Sequence, residues 1–405
     1  MLPFLEAHPV VGRTVIFRVA YEVPLERVNG AWEVSDDHRI RATLETLQTL
    51  RDSNCSVVVV SYLGRPGGRV VPELSLKPVA VRLGELMGAD VGFVPDCRGA
   101  EVMQAVRSLR PREVLMLENT RFHAEEEGND PAFADELAAL GDVCVFDAFA
   151  QAHRVHASTT GLVARLPTVF GKQFQKEIET FDRLLRNPEH PFVVVLGGAK
   201  IADKADVIEK LAKNADEILI GGAMAHPFLA ARGVELGMSL RDVPVPGSSN
   251  LDAGAIAERL LATLGDRLQL PVDLRAASSA GTQTSIVDVE MGEKIPLTWR
   301  FVDLGPRTIE MFTQRLRSAR TVLWNGPVGM FEQEPYALGT RRIAEAIAGN
   351  RGAVSIAGGG DTERALEEMS FLGAFSHVST GGGAMLYYLA HGSFPVLDNF
   401  KSYEN

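Results

Sequence analysis

Short apolar runs that alternate with longer helical segments constrain the fold of this chain most. The runs are Thr14–Val19, Val57–Ser61, Val114–Leu117, Val143–Phe146, Phe192–Leu196, Glu217–Ile220, Thr321–Leu323 and Val354–Ile356. Residues with helical periodicity lie between them in Arg39–Leu50, Val79–Leu86, Asp203–Lys213, Ile309–Ala319 and Arg341–Ala348. Such alternation is typical of parallel sheets covered by helices on both faces. Because 405 residues exceed what one hydrophobic core usually holds, we expect two α/β units.

A break in the helical pattern gives the expected boundary between the units. Gln175–Leu185 has helical character, and the two prolines of Asn187–Pro191 end it. We therefore predict a first domain over residues 1–172, a linker helix over 173–190 and a second domain over 191–385. Residues 241–302 form a less regular insert, in which Pro244–Asn250 is predicted to be a loop.

Composition excludes several classes of protein. The 52 acidic residues outnumber the 41 Lys and Arg, and the net charge of −11 argues against nucleic-acid binding. Cys55, Cys97 and Cys144 stand far apart, so neither a disulfide framework nor a zinc site is expected, and the cytosol is the natural compartment. His153 and His156 are spaced to share a helix face, but a third metal ligand is not evident. No apolar run reaches the roughly 18 to 20 residues of a membrane span.

Three glycine runs follow apolar segments in the second half, at Val193–Lys200, Ala353–Thr362 and Ser376–Gly383. Glycine lets the backbone turn sharply and lets a ligand approach its amides. In one run Asp361 or Thr362 can cap a helix whose N-terminal amides attract anions. An acid beside a phosphate cradle usually binds magnesium. Together the runs predict a polyphosphate site.

In the first half, arginines recur where loops follow apolar runs. They are Arg39, Arg65, Arg121 and Arg154. Ligands of doubly wound sheets bind outside the carboxyl ends of the strands, where such loops converge. Four guanidinium groups there would bind a small polyanion.

With these motifs in order, the sequence closely resembles the phosphoglycerate kinase family along nearly its whole length. The shared motifs include Leu63–Pro66, Glu118–His123, Gly197–Lys200, Trp324–Pro327, Gly358–Thr362 and Ser379–Gly383. The resemblance implies two Rossmann-like, three-layer domains with mainly parallel sheets, joined by a linker helix. It implies that an acid substrate binds the first domain and magnesium nucleotide the second, that residues 386–405 pack back on the first domain, and that the domains close about a hinge.

The implied activity is reversible phosphoryl transfer between 1,3-bisphosphoglycerate with ADP and 3-phosphoglycerate with ATP, in glycolysis, by a cytoplasmic monomer. Position by position, the resemblance implies substrate contacts at Ala20, Glu22, Arg39, Tyr62, Arg65, Arg121 and Arg154. It implies catalytic roles for Arg39, Lys200, Gly360 and Gly383, and a magnesium ligand at Asp361. The implied nucleotide contacts are Lys200, Lys204, Gly222, Asn325, Glu332, Gly358, Gly359, Gly360, Asp361 and Thr362.

The chain departs from the family pattern mainly on the substrate side. Where the family reads Arg-Val-Asp-Phe-Asn-Val-Pro, Ala20 replaces the acid and Glu22 the amide, and Tyr62 replaces a histidine. Other departures are Ala150, Gln151, Ala223 and Arg307. In one interpretation Glu22 compensates for the acid lost at position 20. In the other, a carboxylate at position 22 repels the phosphorylated acid, and the chain acts on another anionic carboxylate or binds nucleotide without turnover.

Overall fold

A computed structural model describes residues 2–240 and 252–403. The predicted loop Pro244–Asn250 therefore lies outside the described residues. The strands, in chain order, are β1 Thr14–Val19, β2 Leu25–Val28, β3 Ala31–Val34, β4 Ser56–Val60, β5 Val91–Val94, β6 Val114–Leu117, β7 Val143–Asp147, β8 Pro167–Phe170, β9 Phe192–Leu196, β10 Glu217–Ile220, β11 Leu268–Gln269, β12 Asp273–Ser278, β13 Thr284–Asp288, β14 Trp299–Leu304, β15 Thr321–Asn325, β16 Val354–Gly358, β17 His377–Val378 and β18 Lys401–Ser402.

The α-helices separate most of these strands. They are α1 His38–Arg41, α2 Leu44–Asp52, α3 Lys77–Met87, α4 Ala100–Arg107, α5 Ala124–Glu127, α6 Pro131–Ala138, α7 Lys172–Arg186, α8 Ala205–Leu211, α9 His226–Ala231, α10 Ala253–Leu264, α11 Pro306–Ser318, α12 Leu338–Gly349, α13 Gly360–Glu368, α14 Gly382–His391 and α15 Pro395–Asn399. The predicted single helix Arg39–Leu50 is instead two helices, α1 and α2, because the chain turns at Ala42 and Thr43. A π-helix spans Ala157–Gly161.

Contacts divide the chain into two compact units. The first unit comprises Met1–Thr180 and His391–Asn405, and the second comprises Phe181–Ala390. Helix α7 contributes residues to both units. The C-terminal segment joins the first unit through β18, which pairs with β8, and through Phe394, which packs on Phe149.

The first unit is built on a seven-stranded parallel sheet with the order β18-β8-β7-β1-β4-β6-β5. Strands β4, β6 and β7 are buried along their whole lengths, as expected for strands covered on both faces. The chain leaves β1 toward β4 and later returns to β7 on its other side. The loops beside β1 therefore lie at a topological switch point, where α/β sheets bind ligands.

The second unit contains a six-stranded parallel sheet with the order β11-β10-β9-β15-β16-β17. This is the strand order of a dinucleotide-binding fold, with its switch point between β9 and β15. The prediction of an α/β fold with two mainly parallel sheets is confirmed.

The sequence did not predict the small antiparallel sheet β13-β12-β14 of the second unit. Strand β12 is rich in small residues, and β13 is largely exposed, so neither shows the apolar alternation that marks a strand. Pairing between β12 and β14, interrupted by a bulge at Arg275 and Ala276, holds this sheet together.

No helix among residues 2–240 and 252–403 is both long and apolar enough to cross a membrane.

Candidate active site

The predicted substrate residues of the first unit lie at the carboxyl ends of its parallel strands. Ala20 and Glu22 follow β1, Tyr62 and Arg65 follow β4, Arg121 follows β6 and Arg154 follows β7. Because β7, β1, β4 and β6 are neighbours, these loops open on the same edge of the sheet.

Arg121 is the central cation of this edge, and it is only 5% exposed. Its Nη1 donates to the Gly64 carbonyl at 2.7 Å, and its Nε lies 3.1 Å from Glu127 Oε1. The guanidinium carbon lies 3.8 Å from the centroid of the buried Tyr62 ring, which is cation–π geometry. Arg121 is thus fixed by the chain itself, with a tyrosine where the family has a histidine.

Glu22 links two of the predicted arginines. Its Oε1 lies 3.8 Å from Arg121 Nη1, and its backbone carbonyl accepts a hydrogen bond of 2.7 Å from Arg39 Nη1. Ala20, two residues earlier, is buried and carries no polar group. The structure therefore brings Arg39, Glu22, Tyr62 and Arg121 together.

A buried network under Tyr62 was not predicted as part of the site. Arg18 is fully buried, and its Nε donates to the carbonyl and hydroxyl of Ser158 at 3.0 and 3.1 Å. The Ser158 hydroxyl donates in turn to Glu126 at 2.5 Å. Burial lowers the pKa of Arg18 and raises that of Glu126. One sequence feature indicated this network: Arg18 lies within an apolar strand, and a buried charge normally needs a partner of opposite charge.

The remaining two arginines, Arg65 and Arg154, are exposed. Burial raises the pKa of Tyr62, and the charges of Arg18, Arg121 and Arg154 act against this rise. His153 and His156 do not share a helix face, because both precede the π-helix. Burial is the main cause that lowers the pKa of each to about 4, and the charge of Arg154 adds to it at His153, as the charges of several arginines do at His156. Both imidazoles are therefore neutral at pH 7.

In the second unit the glycine runs pack against one another. Gly359 precedes α13 with φ +108°, and a Cβ there would lie 2.9 Å from Asn325 Nδ2. A Cβ on Gly382, the first residue of α14, would overlap Gly359 Cα. By contrast, a Cβ on Gly360 or Gly383 would meet nothing within 4 Å. The N-termini of α13 and α14 therefore adjoin each other, and helix N-termini attract anions.

Several predicted nucleotide residues shape these loops through hydrogen bonds to the chain. Asn325 Nδ2 donates to the Gly358 carbonyl, and the Gly326 amide donates to Thr362 Oγ1, both at 2.7 Å. Lys204 Nζ donates to the Gly197 carbonyl at 2.7 Å. Their polar atoms set the shape of the glycine turns at the switch point.

A cavity of about 480 Å³ opens beside the glycine turns. The predicted residues Gly222, Glu332 and Asp361 line it. Lys200 lies exposed in the loop that follows β9. The Glu332 carboxylate accepts from Arg364 at 2.8 Å. The cavity also has an apolar wall that was not predicted, formed by Met238, Leu240, Leu274, Phe301, Val302 and Val328. These residues come from segments distant in sequence, and none carries a motif.

The predicted magnesium ligand, Asp361, fits a cation that binds oxygen. It lies in the first turn of α13, is exposed and lines the cavity, and within the described part of the chain its carboxylate has no hydrogen bond or ion pair.

A second group of possible metal ligands, Asp96, Cys97 and His123, lies in the first unit and holds its donor atoms within 4.8 Å of one another. Burial and neighbouring carboxylates raise the pKa of the Cys97 thiol, and the Asp96 carboxylate already accepts from His123 at 2.8 Å.

Comparison with known proteins accounts for this arrangement. The family model described as phosphoglycerate kinase matches residues 5–391. The chain belongs to the phosphoglycerate kinase family. It is 46% identical over 388 residues to the phosphoglycerate kinase of Solibacter usitatus, with 95% of each chain covered. It is also 46% identical over 387 residues to that of Chloroflexus aurantiacus, with 93% of each covered. As a family member, the chain is a kinase.

Solved structures of the family have the same fold. The phosphoglycerate kinase from Coxiella burnetii superimposes with a TM-score of 0.82 at 31% identity, and that from Pyrococcus horikoshii with 0.83 at 30%. Each comparison covers 98% of both chains. The departures at Ala20, Glu22 and Tyr62 thus occur within an otherwise complete phosphoglycerate kinase fold.

Proposed function

We propose that the chain transfers the γ-phosphoryl group of ATP to the carboxylate of 3-phosphoglycerate, and catalyses the reverse reaction with ADP. The observation that carries this proposal is the cluster of Arg39, Tyr62 and Arg121 at the carboxyl edge of the first sheet. Arg121 on an aromatic ring, with Arg39 close by through Glu22, is suited to an anionic acid.

Within this proposal the first unit binds the acid. Arg121, with Arg65 and Arg154 on neighbouring loops, binds the phosphate, and Arg39 approaches the reacting carboxylate. A carboxylate is already ionised at neutral pH, so the reaction needs no strong general base. Its requirements are in-line positioning and positive charge around the equatorial oxygens. The neutral state of His153 and His156 agrees with a site that works without a histidine base.

The second unit binds the nucleotide. The amides at the N-termini of α13 and α14, near Gly360 and Gly383, face the terminal phosphates, and Lys200 follows the transferring group. The base and ribose occupy the cavity, with Glu332 at the ribose. Asp361 holds Mg²⁺, which when bound neutralises charge on the phosphates. Lys204, Asn325 and Thr362 keep the glycine turns in shape and present their remaining polar atoms to the phosphates.

We further propose that the protein acts as a cytoplasmic monomer. Its three cysteines, Cys55, Cys97 and Cys144, are free and buried, which suits a reducing compartment.

The test is ADP formation by the purified chain with ATP, Mg²⁺ and 3-phosphoglycerate. A panel of other phosphorylated carboxylic acids runs alongside, and Asp361→Ala serves as the control for the nucleotide side. We expect 3-phosphoglycerate-dependent turnover that Asp361→Ala reduces strongly. Nucleotide binding without any 3-phosphoglycerate-dependent turnover would reject the proposed substrate, and turnover with another acid would identify the replacement.

A further inference from the structure

The chain supplies its own carboxylates to the cation that is proposed to bind the substrate. Glu127 lies 3.1 Å from Arg121 Nε, and Glu22 lies 3.8 Å from Arg121 Nη1. The same Nη1 donates to the Gly64 carbonyl. Two carboxylates thus share a guanidinium that is only 5% exposed. An incoming anion meets an arginine that is already paired.

Of these two carboxylates, Glu22 is the one placed to compete with a ligand. Both side chains are exposed enough to leave Arg121 for water, at 38% for Glu22 and 49% for Glu127, and what distinguishes Glu22 is its position beside Arg39. Its backbone is held in place, because Arg39 donates to the Glu22 carbonyl at 2.7 Å. Residue 22 therefore contacts two of the arginines proposed to bind the acid, Arg39 and Arg121. Tyr62 packs against the Arg121 guanidinium and limits its movement toward another partner.

The effect of this carboxylate is electrostatic. A negative charge 3.8 Å from Arg121 Nη1 competes with the phosphate for the same donors and repels it, most strongly where water is scarce. The uncharged amide side chain that the family has at this position would neither pair with Arg121 as an ion nor repel the phosphate. A ligand without a phosphate group escapes most of the repulsion.

We propose that Glu22 is a specificity-determining residue, an inference that rests on the proposed function. Its carboxylate pairs with Arg121, and the phosphorylated acid must displace it. It lowers the affinity for phosphorylated acids and leaves the transfer step unchanged. The site therefore discriminates less between phosphorylated and unphosphorylated acids than it would with an uncharged residue at position 22.

The test replaces Glu22 with its uncharged isostere, Glu22→Gln, and measures the Kd of 3-phosphoglycerate and of glycerate by calorimetry at low salt. We expect Glu22→Gln to tighten 3-phosphoglycerate binding about tenfold and glycerate binding much less. Glu26→Gln is the matched control, because Glu26 is exposed on the nearby strand β2. Its binding constants should equal those of the unchanged protein.

Steady-state kinetics give an independent readout. We expect Glu22→Gln to lower the KM for 3-phosphoglycerate by a similar factor and to leave kcat within about twofold. Equal affinities in Glu22→Gln and the unchanged protein would overturn the inference, whatever the turnover. An absence of 3-phosphoglycerate turnover in both proteins, together with tighter binding in Glu22→Gln, would reject the proposed substrate but support the role of Glu22.

Discussion

The two proposed sites differ in the groups that form them: main-chain amides in the second unit and side chains in the first. In the second unit, adjoining glycine turns bring the N-termini of α13 and α14 together, so that backbone amides form the proposed site. Side chains such as Asn325 and Thr362 hold these turns through hydrogen bonds to the backbone. In the first unit the site is side chain, with Arg121 held by Tyr62, Glu127 and Glu22.

This difference explains where the chain departs from its family. A backbone site tolerates few substitutions, because an added Cβ at a packed glycine meets other backbone atoms. A side-chain site can change residue by residue while its strands stay in place. Accordingly, Ala20, Glu22 and Tyr62 depart from the family on the substrate side, whereas the closely packed Gly359 and Gly382 are kept on the nucleotide side. Ala223, which replaces a family glycine on the nucleotide side, is an exception. The predictions below test whether the two sites behave in these two ways.

The largest effect is expected for Arg39→Ala. Removing a guanidinium that stabilises charge in the transition state should lower kcat about 10²- to 10³-fold, while the Kd of ATP stays within about twofold. The measurement pairs steady-state turnover with nucleotide titration. Arg41→Ala is the matched control, because Arg41 lies on the same short helix but pairs with Asp37 at 2.7 Å. An unchanged kcat in Arg39→Ala would remove Arg39 from the mechanism.

Gly382→Ala should be the next most damaging change, now on the nucleotide side. Its Cβ would overlap Gly359, which must shift, and overpacking of this kind costs about 1–3 kcal/mol. We expect the Kd of ATP to rise about 10- to 100-fold. Gly373→Ala is the matched control, because a Cβ there would meet nothing within 4 Å and Gly373 lies outside the proposed nucleotide site, so it should bind ATP normally. Equal losses in the two variants would show that packing between the glycine turns is not what matters.

A smaller effect is expected at Tyr62. Tyr62→Leu removes the ring that packs on the Arg121 guanidinium, an interaction worth about 0.5–2 kcal/mol. The KM for 3-phosphoglycerate should rise about 2- to 30-fold. Tyr62→Phe keeps the ring and should stay close to the unchanged protein. If Tyr62→Phe is as impaired as Tyr62→Leu, the hydroxyl rather than the ring is responsible.

The smallest effects concern stability and pH, and one buried carboxyl group in each unit serves as the test. Burial raises the pKa of Asp147 in the first unit and of Asp303 in the second, each to about 7 from 3.8. Between these values the folded state binds more protons than the unfolded state, so each group lowers stability as pH rises. Relative to the unchanged protein, Asp147→Asn and Asp303→Asn should each gain on the order of 1 kcal/mol between pH 5 and pH 8.

Denaturant unfolding at the two pH values measures this change. The variants are compared with the unchanged protein at each pH, because Asn also alters the hydrogen bonds that the carboxylates accept. Asp147 accepts from the Phe174 amide at 2.7 Å, and Asp303 accepts from the Gly339 amide at 2.9 Å. A pH dependence identical to that of the unchanged protein would mean that these carboxyl groups ionise normally in the folded state.

The parallel sheets were predictable because their strands are buried on both faces, which leaves continuous apolar runs such as Val57–Val60 in the sequence. The glycine runs were predictable for a similar local reason, since a sharp turn before a helix requires particular residues at consecutive positions. The antiparallel sheet was not, because β12 and β14 owe their stability to each other rather than to any local pattern. The split of one predicted helix into α1 and α2 was likewise beyond the local periodicity.

For the site, the sequence alone determined which residues have the right chemistry and which strand each follows. The tertiary structure decided which of them meet. Only the fold shows that Glu22 reaches Arg121, that Tyr62 lies against its guanidinium, and that Arg18 is joined to Glu126 through Ser158. These partners come from different strands and loops, and their interaction depends on distances of a few ångströms that no spacing along the chain encodes.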